Sequence, residues 1–232
     1  MLTFHAGPDL NMHDSGTGNL VMPVIKIEHI SEDSVWGLWK IEEDQETLLR
    51  NAVLSGEEVS EMDRIANPRR KTEWLASRVM LKTIMDSLGI PYRGLRKNEA
   101  SKPYLVNDGF HISLAHSFPI AGAMVNRNSP CGIDIEKPKP ALFTIATKFL
   151  SDEEWNTIPK RLPELCLAWA VKEVLYKLYG DKRISFRENL VLHPFIYSPK
   201  GRIRACIRRM GESKSVNLGY EQAGDMMVCY SL

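Results

Sequence analysis

Apolar and polar residues in the first half of the chain alternate in a way that predicts short strands around one long helix. Strand patterns occupy residues 24–30, 34–41 and 110–116, and an apolar run at 120–125 fits either a strand or a helix. Between these strands, apolar residues recur at helical spacing over 69–88, where a glycine ends the pattern. The first half therefore predicts one long helix packed on a small sheet.

The second half shows a similar order of strand and helix patterns. A short apolar strand at 131–135 is followed by helical patterns at 140–149 and 162–179, the second of which is ended by Gly180. The remaining strand patterns lie at 190–193, 202–208, 215–218 and 226–231. Helices together with antiparallel strands predict an α+β protein, sandwich-like in its packing of helix on sheet, with two similar α/β halves.

A cluster of turn-forming residues, NRNSP at 126–130, marks the clearest boundary along the chain. We therefore expect an N-terminal α/β half at 22–127 and a C-terminal α/β half at 128–232. Residues 1–21 are rich in Gly, Asp, Asn and His and show no periodicity, so we expect a flexible N-terminal extension there.

Composition excludes several classes of protein. The 232 residues carry a net charge of +1, with 44% hydrophobic and 25% charged residues, so no overall charge favours nucleic acid or a membrane surface. No apolar run approaches the roughly 20 residues of a membrane span. The four cysteines are widely scattered and do not have zinc-site spacing, so we expect reduced, inert thiols in a cytoplasmic protein.

Two acids stand out in the strand CGIDIE. Asp134 and Glu136 are two residues apart, so they project from the same face of an apolar strand, where like charges repel each other. A Mg²⁺ ion bound by these two carboxylates and by Glu173 from a crossing helix would explain the arrangement. The alternative is that Glu173 and Lys177, four residues apart, form an ordinary exposed helical pair.

The common nucleotide-binding and hydrolase motifs are absent from the sequence. There is no GxxxxGK[ST] loop and no GxGxxG after a strand, and neither HExxH nor GxSxG occurs. Instead, GIDIE and WAVKEVLYK together resemble the paired signature of the 4′-phosphopantetheinyl transferases. Further segments resemble the surfactin-type and enterobactin-type members in the family's order, namely RRKTEWLASR, SKPYL, SLAHS and FLSDEEW.

The resemblance implies a Mg²⁺-dependent transfer of the phosphopantetheine arm of coenzyme A to a serine of an apo acyl or peptidyl carrier protein. Asp134, Glu136 and Glu173 would be the metal ligands. The general base would be Glu173, with Glu154 as the second candidate. Lys172 and Lys177 match lysines that hold phosphates and stabilise charge developing on the leaving group.

The resemblance also assigns contacts at the nucleotide end of coenzyme A. His116 matches the histidine that contacts the 3′-phosphate, and three basic residues match contacts to this phosphate and the adenine, namely Arg70, Arg78 and Lys102. Arg69 is the alternative to its neighbour Arg70. For Arg78 the alternative is a charge on the helix surface. Ala115 and Ser101 depart from the family's usual serine and glycine, so we expect an active enzyme with altered coenzyme A affinity.

A chain of this length resembles the surfactin-type members, in which two halves form a pseudo-dimer with coenzyme A between them. We expect a monomer whose partners are coenzyme A and an apo carrier protein. Two alternatives are a non-catalytic module that binds coenzyme A or the carrier, and an unrelated magnesium-dependent phosphotransferase.

Overall fold

The computed structural model describes residues 23–99, 101–106, 109–181 and 183–232. The predicted flexible extension at 1–21 lies outside these residues. Within them the chain forms helices and antiparallel sheets, and the prediction of an α+β fold is confirmed. None of the helices in the described ranges is long and apolar enough to cross a membrane.

A four-stranded antiparallel sheet forms the first half, in the order β1-β2-β6-β5. The strands are β1 (Val24–Ser31), β2 (Ser34–Lys40), β5 (His111–Ser117) and β6 (Ile120–Asn126). The helices are α1 (Gln45–Asn51), α2 (Gly56–Asp63) and α3 (Pro68–Ser87). A separate two-stranded pair consists of β3 (Leu95–Lys97) and β4 (Pro103–Leu105). Helix α3 covers the sheet with a continuous apolar side that includes Leu75, Leu81 and Ile84, which are fully buried.

A five-stranded antiparallel sheet forms the second half, in the order β7-β11-β10-β9-β8. Its strands are β7 (Ile133–Glu136), β8 (Leu190–Leu192), β9 (Lys200–Arg209), β10 (Glu212–Ala223) and β11 (Met226–Ser231). The helices are α4 (Ala141–Phe149), α5 (Asp152–Thr157) and α6 (Leu162–Tyr179). Helix α6 packs across this sheet as α3 does in the first half, so each half buries one long helix against one sheet.

Several of these helices begin or end at residues that commonly cap helices. Ser55 and Ser151 each form a capping box with a glutamate three residues later. Asn67 caps α3, and Pro68 occupies the first position of that helix. Gly180 ends α6 in the left-handed conformation, with φ of 76°. The boundaries predicted for the two long helices therefore agree with the structure to within one residue.

Strand β7 lies between the two halves and faces both of them. Ile133 and Ile135 are buried in a core shared with the first sheet, where Trp36 stacks on Tyr230 with 4.7 Å between ring centroids. The backbone N–H of Ile133 also donates to Ser113 Oγ of β5. Since side chains alternate along a strand, the acids of β7 point to the opposite side, towards α6.

Candidate active site between helix α6 and strand β7

The glycine of the GIDIE segment allows α6 to approach β7 closely. A Cβ on Gly132 would lie 2.9 Å from Val174 Cγ1 and 3.0 Å from the Val174 carbonyl oxygen. No ordinary side chain fits in that space. The close approach brings the helix onto the face of β7 that carries Asp134 and Glu136; Asp134 is buried and Glu136 is partly buried.

One face of α6 meets these two acids with three residues at intervals of four. Trp169 Nε1 donates to Glu136 Oε1 at 2.8 Å, and Lys177 Nζ donates to Asp134 Oδ1 at 2.8 Å. Glu173 lies midway between Trp169 and Lys177 along the helix, on the same face. The site is therefore a row of three carboxylates with a hydrogen-bond donor at each end.

Burial and mutual repulsion destabilise the negative charges of these carboxylates. Burial, followed by the charge of Asp134, raises the pKa of Glu136 to about 7, and the hydrogen bond from Trp169 partly opposes this rise. The same two causes raise the pKa of Glu173 to about 7. A cation among the three carboxylates would relieve this repulsion.

The three carboxylates influence one another, yet they do not form a finished coordination shell. No group of three or more His, Cys, Asp or Glu side chains among the described residues is positioned to hold a metal ion. The tight convergence predicted for Asp134, Glu136 and Glu173 is therefore not found among the described residues, where Trp169 donates to Glu136 and Lys177 to Asp134. The donor set still fits Mg²⁺, which prefers carboxylate oxygens. In addition, Asp134 Oδ2 is buried without a hydrogen-bond partner.

Lys177 joins this site to the first half of the chain. Besides Asp134, its ammonium donates to the Ile133 carbonyl at 2.8 Å and to the Leu114 carbonyl of β5 at 3.3 Å. Lys102 Nζ donates to the Lys177 carbonyl at 3.0 Å, and burial lowers the pKa of Lys102. A cavity of about 210 Å³ beside these groups is also lined by Tyr176 and Gly180. The structure thus brings Lys102 and Lys177 together between the halves.

Lys172 and Glu154 lie elsewhere, inside the core of the second half. Lys172 is fully buried, and its ammonium donates to Glu154 Oε2 at 2.6 Å and to the carbonyls of Phe149 and Phe186 at 2.6 and 2.9 Å. Glu154 also accepts from the backbone N–H groups of Ser151 and Leu192. With all three protons of Lys172 donated and both residues buried, this geometry favours a structural role over a phosphate contact or a general base.

Arg78 is likewise held inside the first half rather than on a helix surface or in a ligand site. It is only 5% exposed, and its Nε donates to Glu58 Oε1 at 2.9 Å. Its guanidinium also lies over the Trp74 ring at 3.4 Å. The buried pair ties α3 to α2, and this favours a structural role for Arg78 over the predicted contact to coenzyme A.

His116, near the end of β5, and Arg70, in the first turn of α3, are both exposed. His116 Nδ1 is 3.4 Å from Glu73 Oε2, and burial is the first cause that lowers the pKa of His116. Arg70 is exposed, and its charge also acts on His116. Glu73 further accepts from the backbone N–H of Phe118, so it fixes the loop that follows His116.

Two residues depart from the family pattern. Ala115 is buried in the core shared by the two halves, so a side chain at that position points away from His116. Ser101 has φ of 64°, the left-handed conformation that a glycine adopts without strain.

Comparison with known proteins identifies the family. A model of the 4′-phosphopantetheinyl transferase superfamily matches residues 130–221, and a model of the 4′-phosphopantetheinyl transferase N-terminal domain matches residues 59–126. The chain belongs to the 4′-phosphopantetheinyl transferase superfamily. These two matches include all the residues discussed above between Arg70 and Lys177.

The chain is similar to the 4′-phosphopantetheinyl transferase psf-1 of Bacillus pumilus. The two chains are 37% identical over 83 residues, which is 33% of this chain and 34% of the relative. The matched stretch therefore spans about a third of the relative's length.

Sequence reasoning missed three residues that contact predicted site residues. Trp169 was detectable, since it precedes Glu173 by four residues and so shares its helical face. Glu73 precedes Phe118, whose backbone N–H donates to it, by 45 residues, and Glu58 precedes Arg78 by 20, so no local pattern reveals these partners.

Proposed function

We propose that the protein transfers the 4′-phosphopantetheine group of coenzyme A to a serine of an apo acyl or peptidyl carrier protein, as a holo-carrier-protein synthase. The by-product would be adenosine 3′,5′-bisphosphate. The observation that carries the proposal is the α6 face, on which Glu173 and Lys177 meet the carboxylates of β7 between the two halves.

Asp134, Glu136 and Glu173 would hold Mg²⁺. The bound ion would neutralise charge on the pyrophosphate of coenzyme A. Asp134 offers its unpartnered Oδ2 for this task, whereas Oδ1 stays with Lys177. Lys177, whose ammonium donates to Asp134, would stabilise negative charge on the departing bisphosphate.

Glu173 is the first candidate for the base that takes the proton of the carrier serine. A base must be within reach of the proton that it takes, and Glu173 lies on the face of α6 that meets the carboxylates of β7. Glu154 is a weaker candidate because it is buried against Lys172 and accepts three hydrogen bonds.

His116, Arg70 and Lys102 would contact the nucleotide end of coenzyme A. The charges of Arg70 and Lys177 both act on His116, and Lys102 Nζ donates to the Lys177 carbonyl, which supports a shared role for these residues. Arginine suits a phosphate because its planar guanidinium can donate two parallel hydrogen bonds.

The protein would work as a monomer in the cytoplasm. Its two halves share a buried core within a single chain, which supports a monomer. All four cysteines are buried and unpaired, as suits a reducing compartment.

Incubation with an apo carrier protein, coenzyme A and Mg²⁺ tests the proposal, with mass spectrometry detecting the added phosphopantetheine. Asp134→Ala and Glu173→Ala should abolish the modification and keep the circular dichroism spectrum of the folded protein. Retained binding of coenzyme A without modification of any apo carrier would contradict the enzyme and favour the non-catalytic module. Unchanged turnover in either variant would contradict the metal assignment.

A further inference from the structure

We propose that Trp169 is a positioning residue for the metal site, whose indole N–H holds one oxygen of Glu136 so that the other remains directed at the cation. This inference rests on the proposed function. The contact that carries it is the 2.8 Å hydrogen bond from Trp169 Nε1 to Glu136 Oε1. No other described residue donates a hydrogen bond to the Glu136 side chain.

Aromatic neighbours fix the indole in the core of the second half. The Trp169 ring meets the edge of Phe149 at 5.1 Å between centroids and stacks on Phe186 at 5.5 Å with an interplanar angle of 21°. Tyr176 also packs against Phe186, with 5.2 Å between ring centroids. The donor is therefore held by packing, and its position does not depend on Glu136.

The chemistry of the indole suits this task. An indole N–H can only donate, so it cannot compete for the cation as a ligand. It is also neutral, so it orients the carboxylate of Glu136 without cancelling the negative charge that attracts Mg²⁺. Lys177 makes the equivalent contact to Asp134 at the other end of the row, but it brings a positive charge with it.

Trp169→Phe tests the inference, because phenylalanine keeps the aromatic packing and removes the N–H. Residues that orient metal ligands typically affect metal affinity by about 10- to 100-fold when they are lost. We therefore expect the Kd for Mg²⁺ to rise at least tenfold in calorimetric titrations with coenzyme A present and carrier protein absent.

Two control variants separate the hydrogen bond from the packing. Trp155→Phe changes another tryptophan of the same half, whose indole makes no hydrogen bond to a described residue, and should leave the Kd unchanged. Phe186→Leu weakens the stack and keeps the indole N–H, so it should change the Kd less than Trp169→Phe does. Should Trp169→Phe fail to fold, benzothienylalanine at position 169 replaces it, since this residue has the shape of tryptophan with sulfur in place of the N–H.

The inference would be overturned if the variant that lacks the N–H had a Kd for Mg²⁺ within twofold of wild type. It would also be overturned if Phe186→Leu raised this Kd as much as Trp169→Phe does. If the wild-type protein binds Mg²⁺ and modifies a carrier, either result overturns the inference alone. A wild-type protein that does neither overturns the proposed function as well.

Discussion

Replacing Lys172 by methionine separates a structural role for this lysine from the phosphate contact that the family resemblance implies. The methionine fills a similar volume but provides no ammonium, so Glu154 is left as a buried carboxylate without a counter-ion. The carbonyls of Phe149 and Phe186 also lose their donor.

The contacts set the size of the expected effect. Breaking a buried ion pair from one side costs about 3–5 kcal/mol of stability. The two backbone N–H groups that still donate to Glu154 reduce the loss, so we take about 3 kcal/mol as the expected value. A chain of this size loses roughly 2–4 °C of Tm per kcal/mol. The Tm of Lys172→Met should therefore fall by about 6–12 °C.

Thermal unfolding and transferase kinetics are measured on the same preparations. Adding Glu154→Gln to Lys172→Met removes the unpaired charge, and this double variant should recover part of the lost Tm. At a temperature where the single variant is folded, its KM for coenzyme A should be close to that of wild type. A wild-type Tm combined with a KM raised tenfold or more would refute the structural assignment and restore the phosphate contact.

Three further substitutions test other parts of the structure. Gly132→Ala should lower stability by about 1–3 kcal/mol because its Cβ would overlap Val174 of α6, and chemical denaturation that finds no loss would refute the close packing of α6 on β7. Arg78→Met should lower the Tm by a margin similar to Lys172→Met and leave the KM for coenzyme A unchanged, since its guanidinium pairs with buried Glu58; a raised KM with an unchanged Tm would contradict this. His116→Ala should raise the KM for coenzyme A by about 10- to 100-fold, the value of a lost hydrogen bond to a charged group. The KM of this variant for 3′-dephospho-coenzyme A should not change, and an equal rise for both substrates would show that His116 does not contact the 3′-phosphate.

Much of the fold could be predicted because its signals are local. The helix boundaries at Asn67 and Gly180 come from residues whose effect on the backbone reaches only a few positions. The alternation in β7 likewise puts Ile133 and Ile135 on the face opposite the two acids, and both are buried in the core. The order of strands in the two sheets could not be predicted, because β7 pairs with β11 at the other end of the second half.

The sequence by itself determined that Asp134 and Glu136 share one face of a strand and that Glu173 and Lys177 share one face of a helix, because both follow from the repeat of the backbone. Only the tertiary structure decided which charged residues reach that site. Lys172 is next to Glu173 in the chain, yet a rotation of about 100° per helical residue turns it into the core, where Glu154 holds it. Arg78 is buried in the same way against Glu58, which lies 20 residues away in the chain. A charged side chain can be buried only where an oppositely charged partner offsets its loss of hydration. Packing between distant parts of the chain determines which partner that is.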